Sequence, residues 1–156
     1  MKRIWIFSLI VIIVDQILKS IVNRSILLNH HIKIINHFFY ISHVHNEGAA
    51  WSIMSGNRVF LIMIAIISII VVYKVFMEKS ELNKYNIFVY SLLLGGIIGN
   101  LIDRIIYGYV IDYIELIFGN YHYPIFNLAD ICIVISIILI IVKSIQEEVC
   151  KRKMNE

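Results

Sequence analysis

"YPIFNLADICIVISIILIIVK" occupies residues 123–143. From position 131 to 142 it holds only Ile, Val and Leu apart from one Cys and one Ser. A run this apolar reads as a helix approaching the ~20 residues that cross a bilayer. Yet Asp130 stands at its mouth, with Asn127 one helical turn earlier. An ionisable group at membrane depth is costly and generally faces a partner or a cavity. A carboxylate could simply answer the positive end of the helix dipole. That reason alone gives Asn127 no part.

The rest of the chain agrees with a membrane setting. Of 156 residues, 60% are hydrophobic and 16% charged, and the mean hydropathy is +0.81. A soluble domain of this makeup would expose too much apolar surface. The net charge of +3 is small, and no basic patch interleaved with aromatics suggests nucleic acid. Cys132 lies within an apolar run and Cys150 in the charged tail. A helix would hold them ~27 Å apart, too far for a disulfide.

Four stretches read as spans, at about 4–22, 59–76, 86–106 and 125–142. The first opens MKR and is apolar like a signal peptide, but no small-x-small cleavage site follows. It reads as a retained helix. Lys2, Arg3, Lys74, Lys79, Lys84, Lys143, Lys151, Arg152 and Lys153 all fall on one side of a four-span arrangement. The positive-inside rule then makes both termini cytoplasmic. The outer segment, 23–58, is too long to be structureless in so small a chain. Its "HIKIINHFFYISHVH" alternates loosely and is rich in β-branched and aromatic residues, which predicts a short antiparallel sheet. The fold expected is an all-α membrane protein: one integral membrane domain over 1–156, a four-transmembrane-helix bundle with a small extracytoplasmic β-sheet segment.

The aspartates are Asp15, Asp103, Asp112 and Asp130, each within a span or close to its outer end. Five of the seven glutamates, Glu78, Glu81, Glu147, Glu148 and Glu156, fall in the cytoplasmic link or tail. Four carboxylates are thus expected at similar depth, near the outer leaflet. Each also has a plain structural explanation. Asp15 and Lys19 are spaced to pair on one helix face. Asp103 and Arg104 could form a buried ion pair, with Asn100 one turn below. Gly95, Gly96 and Gly99 suit close helix packing. Asn46-Glu47-Gly48 reads as a turn, followed by small residues and Trp51, an aromatic suited to the interface. His43 and His45 would share a strand face, but no third ligand stands at a recognisable spacing for a metal.

Two carboxylates in a low-dielectric site cannot both ionise easily and share a proton. One can then draw a proton from water while the other donates to a peptide carbonyl. No Ser stands beside a His–Asp pair, and Cys132 is embedded in isoleucines. Proton-coupled transporters and channels use intramembrane carboxylates too, as could a non-catalytic subunit whose acids only pair spans.

Five motifs in order decide between these readings: "DQILK" (15–19), "NEGAAW" (46–51), "GNLIDR" (99–104), "VIDY" (110–113) and "FNLAD" (126–130). Together they resemble the bacterial lipoprotein signal peptidases, signal peptidase II, over nearly the whole chain. "VIDY" departs mildly from the usual V-V-D-F, and Trp51 stands where Phe is also common. The resemblance implies an intramembrane aspartic endopeptidase of the bacterial cytoplasmic membrane. It would remove signal peptides from prolipoproteins, cutting before a diacylglyceryl-modified Cys, with its active site near the outer leaflet. The implied catalytic pair is Asp112 and Asp130. Asp15, Lys19, Asn46, Gly48, Trp51, Asn100, Asp103, Arg104 and Asn127 match supporting or substrate-binding positions. Neither metal nor organic cofactor is expected. Expected partners are prolipoproteins, membrane lipids and globomycin-type inhibitors, and the expected state is a monomer.

Overall fold

The computed structural model describes residues 1–48, 56–78, 81 and 83–154. Trp51, together with Ala49 and Ala50, lies outside the described residues. The elements follow as α1 (Lys2–Ser25), β1 (His31–Ile35), β2 (Phe39–Asn46), α2 (Arg58–Val71) running into a π-helical turn (Val72–Met77), α3 (Lys84–Ile106), β3 (Val110–Phe118), β4 (Tyr121–His122) and α4 (Leu128–Met154).

Among the described residues, four helices are long and apolar enough to cross a membrane. Their exposed faces carry large apolar side chains, among them Ile6, Ile67 and Ile138, each more than half exposed. In water such a surface would aggregate, whereas lipid is its natural solvent because each helix satisfies its own backbone. The helices are not equivalent. In α3, 61% of the apolar window is buried, against 17–22% in the other three. α1, α2 and α4 each pack on α3.

Glycine permits that packing. A Cβ added at Gly95 would stand 2.6 Å from the Val11 Cβ, and one at Gly96 would stand 2.5 Å from the Ala129 carbonyl oxygen. At Gly99 it would meet an Asp15 oxygen at 2.7 Å. These separations lie inside van der Waals contact, so the helices meet here because no side chain intervenes. A core of Ile4, Val72, Val89, Leu93 and Leu94 fills the other end of the contact.

The sheet is four-stranded and antiparallel in the order β1-β2-β3-β4. The expected sheet lay wholly within 23–58. The structure draws β3 and β4 from 107–124 as well, and β3 is an interior strand. "VIDYIELIF" has the β-branched and aromatic makeup of a strand, but two acids obscure its alternation. Val22, Ile26, Ile111 and Tyr113 cluster where the sheet meets the end of α1.

The segment before α4 is extended. Phe126 bridges Ile114: its carbonyl accepts from the Tyr113 and Ile114 amides at 3.1 and 2.7 Å, and its own amide donates to Ile114 at 3.1 Å. α4 therefore begins at Leu128, because the preceding backbone is committed to β3. It then runs through the charged tail to Met154.

Candidate active site

The carboxylates gather in two adjoining clusters. In the first, Lys19 is the hub. Its Nζ lies 2.8 Å from Asp15 Oδ2 and 2.9 Å from Asp103 Oδ2, and donates to Asn100 Oδ1 at 2.9 Å. Asp15, Lys19 and Asp103 are buried to 1% exposure or less. The second Asp103 oxygen accepts from Gln16 Nε2 at 2.8 Å. Asp15 Oδ1 accepts from the Ala129 amide at 3.1 Å, in the first turn of α4. Asp103 Oδ2 also accepts from the Ile111 amide at 3.3 Å. The cluster thus ties α1, α3, α4 and β3 together.

The expected pairing of Asp103 with Arg104 is replaced by pairing with Lys19. Consecutive residues on a helix point in different directions, so Asp103 turns toward α1 while Arg104 turns elsewhere. The Arg104 guanidinium donates to the Gly48 carbonyl at 3.0 Å and to its own helix at the Asn100 carbonyl, 3.3 Å. Gly48 in turn donates its amide to Asn46 Oδ1 at 2.9 Å, an Asx turn that orients Asn46.

In the second cluster, Asn127 is the hub. Its side-chain amide donates to Asp112 Oδ1 at 2.7 Å and to Asn100 Oδ1 at 3.2 Å. Its side-chain oxygen accepts from the Asp130 amide at 3.0 Å, while Asp130 Oδ2 accepts from the Asn127 amide at 3.1 Å. This is a reciprocal capping box at the start of α4. The sequence argument that a helix end gave Asn127 no part is therefore corrected, since the cap uses Asn127 as much as Asp130. The other Asp130 oxygen accepts from Asn100 Nδ2 at 2.7 Å. Asp112 Oδ2 accepts from Asn46 Nδ2 at 2.8 Å. Asp112 is 2% exposed, and burial, then the neighbouring Asp130, push its carboxyl up to about 7.

Asp112, Asp130, Asn46, Asn100 and Arg104 face one cavity of about 350 Å³, closed on one side by Pro124, Ile125 and Phe126. A second cavity, of about 550 Å³, runs between α2, α3 and α4 and also reaches Asn100, Arg104 and Asp130. Every described site residue expected from the sequence lies in one of the two clusters except Gly48 and Arg104, which adjoin them through Asn46 and Asn100. Three further residues position the site. Gln16 stands inside "DQILK" but carries no charge to attract notice. Tyr113 offers its hydroxyl oxygen to the Leu128 amide at 3.2 Å, and burial raises its pKa to about 12. Arg58 caps α3 by donating to the carbonyls of Arg104 and Ile105 at 2.7 and 2.6 Å. Only the fold brings Arg58 to that helix end. His43 and His45 do share a face, with ring centroids 5.1 Å apart, and His45 stacks on Tyr109.

A carboxyl pair in one cavity, braced by amides and beside an apolar groove, can support either hydrolysis or proton handling. Comparison with known proteins decides which. Residues 7–146 match the family described as signal peptidase (SPase) II. The chain is 34% identical to a lipoprotein signal peptidase of Bacillus pumilus (strain SAFR-032), covering 89% of this chain and 90% of that one. It is 35% identical to one of Staphylococcus aureus (strain JH9), covering 95% and 91%. Two solved structures, each described as a bacterial membrane enzyme, superpose with TM-scores of 0.86 and 0.81 at 34% and 35% identity. The first match covers 95% of this chain and 90% of that one, and the second covers 92% of each. The chain belongs to the signal peptidase II family. It is a multi-pass membrane peptidase, and the transporter reading of its acids is set aside.

Proposed function

We propose that Asp112 and Asp130 are the catalytic pair with which this peptidase removes signal peptides from lipoproteins. The observation that carries the assignment is their joint attachment to Asn127, whose side chain holds Asp112 and whose backbone amide holds Asp130. Neither has a lysine or arginine within ion-pair distance among the described residues. Two carboxyls facing one cavity, Asp112 buried and Asp130 half-buried, hold one proton between them when no counter-cation is bound to either. The ionised member takes a proton from water as it attacks the scissile carbonyl. The protonated member donates to the carbonyl oxygen and stabilises the tetrahedral intermediate. The proton gained from water then passes to the leaving amine, which becomes the free amino group of the lipid-modified Cys.

The supporting residues divide by what they touch. Asn46, Asn100 and Asn127 hold the two carboxyls by one oxygen or both. Arg104 brings positive charge to the cavity wall, and its bond to Gly48 anchors the end of β2 there. Asp15, Lys19 and Asp103 hold α1, α3 and α4 in register behind it. Trp51 belongs to the same motif and is proposed to contact lipid or substrate.

The single membrane domain is read with both termini cytoplasmic, from the basic residues at 2–3, 74–84 and 143–153. The sheet and the catalytic pair then lie toward the outer leaflet, where acyl chains would anchor the modified Cys of the substrate. An impermeant thiol reagent tests this in intact cells, in a background lacking Cys132 and Cys150. Cys at Glu81 should be shielded and Cys at Asn120 labelled. Labelling of position 81 from outside overturns the orientation. The activity itself is read by incubating purified protein with a diacylglyceryl-modified prolipoprotein and detecting the released signal peptide.

A further inference from the structure

Asp112 faces two spaces. One is the cavity it shares with Asp130 and Asn100, which continues into the apolar groove of Leu61, Ile64, Val71 and Ile137. The other, of about 450 Å³, opens over the sheet and is lined by Val44, His45, Asn46, Glu115 and His122, with Tyr123, Pro124 and Ile125 common to both spaces. A peptide lying across the catalytic pair has two ends of different chemistry. Its signal segment is apolar and fits the groove. The segment beyond the modified Cys belongs to the mature, water-exposed protein and needs a polar channel.

Glu115 gives that channel its charge. One carboxylate oxygen accepts from the Ser42 hydroxyl, which fixes the side chain across the β2–β3 pair. The other oxygen stands 3.8 Å from His122 Nδ1, beyond hydrogen-bond reach. Among the described residues no lysine or arginine pairs with Glu115. Burial and the neighbouring His43 lower the pKa of His45, which keeps that ring uncharged at neutral pH. Apart from Asp112, Glu115 is the carboxylate lining the channel, with the His122 ring as its neighbouring ionisable partner. Glu115 follows Asp112 by three residues on β3, ~10 Å at the rise of a strand. An extended peptide covers that distance in about three residues.

We infer that the cavity over the sheet is the subsite for the mature side of the substrate, and that Glu115 selects a basic side chain at about the third or fourth mature residue. This rests on Asp112 and Asp130 being the catalytic pair. It adds to the cleavage reaction a preference that acts after the modified Cys, where the apolar groove exerts none.

The test uses the purified full-length protein and synthetic peptides that share one signal segment and one diacylglyceryl-Cys. Residues three and four of the mature part are both Lys, both Gln or both Glu. The wild-type protein should cleave the Lys peptide with a kcat/KM about threefold to fivefold above the Glu peptide, the size of a partly exposed ion pair. That ratio should shrink as salt is added. In Glu115→Gln, which keeps an oxygen for Ser42, the ratio should fall to about one. No Lys-over-Glu preference in the wild type overturns the subsite without need of any variant. A preference that survives unchanged in Glu115→Gln overturns the role of Glu115. Asp112→Asn is assayed on the Gln peptide in parallel. Cleavage there would overturn the catalytic pair, an outcome separate from the charge ratio.

Discussion

The two clusters contain the same kind of acid and differ in what surrounds it. Asp15 and Asp103 share Lys19 at 2.8 and 2.9 Å. Asp112 and Asp130 share Asn127, a neutral amide. A lysine between two carboxylates supplies the charge that compensates them. An asparagine satisfies lone pairs without supplying charge. The difference shows how adjacent acids can be held in unlike ways: one cluster has its own cation and ties helices together, and the other is held by neutral amides.

The largest effect should come from removing ionisation where no lysine or arginine forms an ion pair. Asp112→Asn and Asp130→Asn preserve volume, and each should lower turnover of lipid-modified substrate by at least about a thousandfold. Because the two act as one unit, the double variant should be scarcely worse than either single one. Melting temperatures should stay at or above that of the wild type. A variant that still cleaves at near wild-type rate would make the second cluster as structural as the first.

The converse change attacks the first cluster. Lys19→Met leaves two buried carboxylates facing each other and should cost about 3–5 kcal/mol, seen as lower yield and melting temperature. Restoring neutrality with Asp15→Asn and Asp103→Asn in the same chain should recover much of that loss. If Lys19→Met instead kept its stability and lost only turnover, Lys19 would belong with the chemistry.

Dependence on pH separates the clusters further. The folded-state pKa of Asp112 is raised from 3.8 to about 7. The folded protein therefore holds a proton that the unfolded chain has already released in that interval. This group's contribution to stability falls as pH rises from about 4 to about 7 and levels off above, by at most about 4 kcal/mol. Thermal unfolding in detergent should show that slope, and Asp112→Asn should flatten it. A stability rising through the same window would contradict the raised pKa.

The smallest effect concerns the backbone that lets the clusters meet. Gly99→Ala would set a methyl group 2.7 Å from Asp15 Oδ2 and should cost about 1–3 kcal/mol through overpacking. An unchanged melting temperature would mean that Asp15 can retreat from α3 without loss.

Apolar length alone marked four membrane helices, because a span must be continuously apolar whatever its neighbours are. The glycines of α3 were legible as packing positions for a similar reason: absence of a side chain is a local property. The residues that gather in the two clusters were legible as five short motifs, since each keeps its polar residues within a turn or two. Partner choice was not legible. Asp103 pairs with Lys19, 84 positions away in "DQILK", and not with its neighbour Arg104, because a helix sends adjacent side chains to different faces. The strand nature of 110–118 was hidden by Asp112 and Glu115, whose polarity is accommodated by a cavity that local sequence does not describe. The capping box of Asn127 and Asp130 is a local geometry and could have been read from "NLAD". Its junction with Asp112 depends on Phe126 bridging Ile114, a contact between segments that only the assembled sheet brings together.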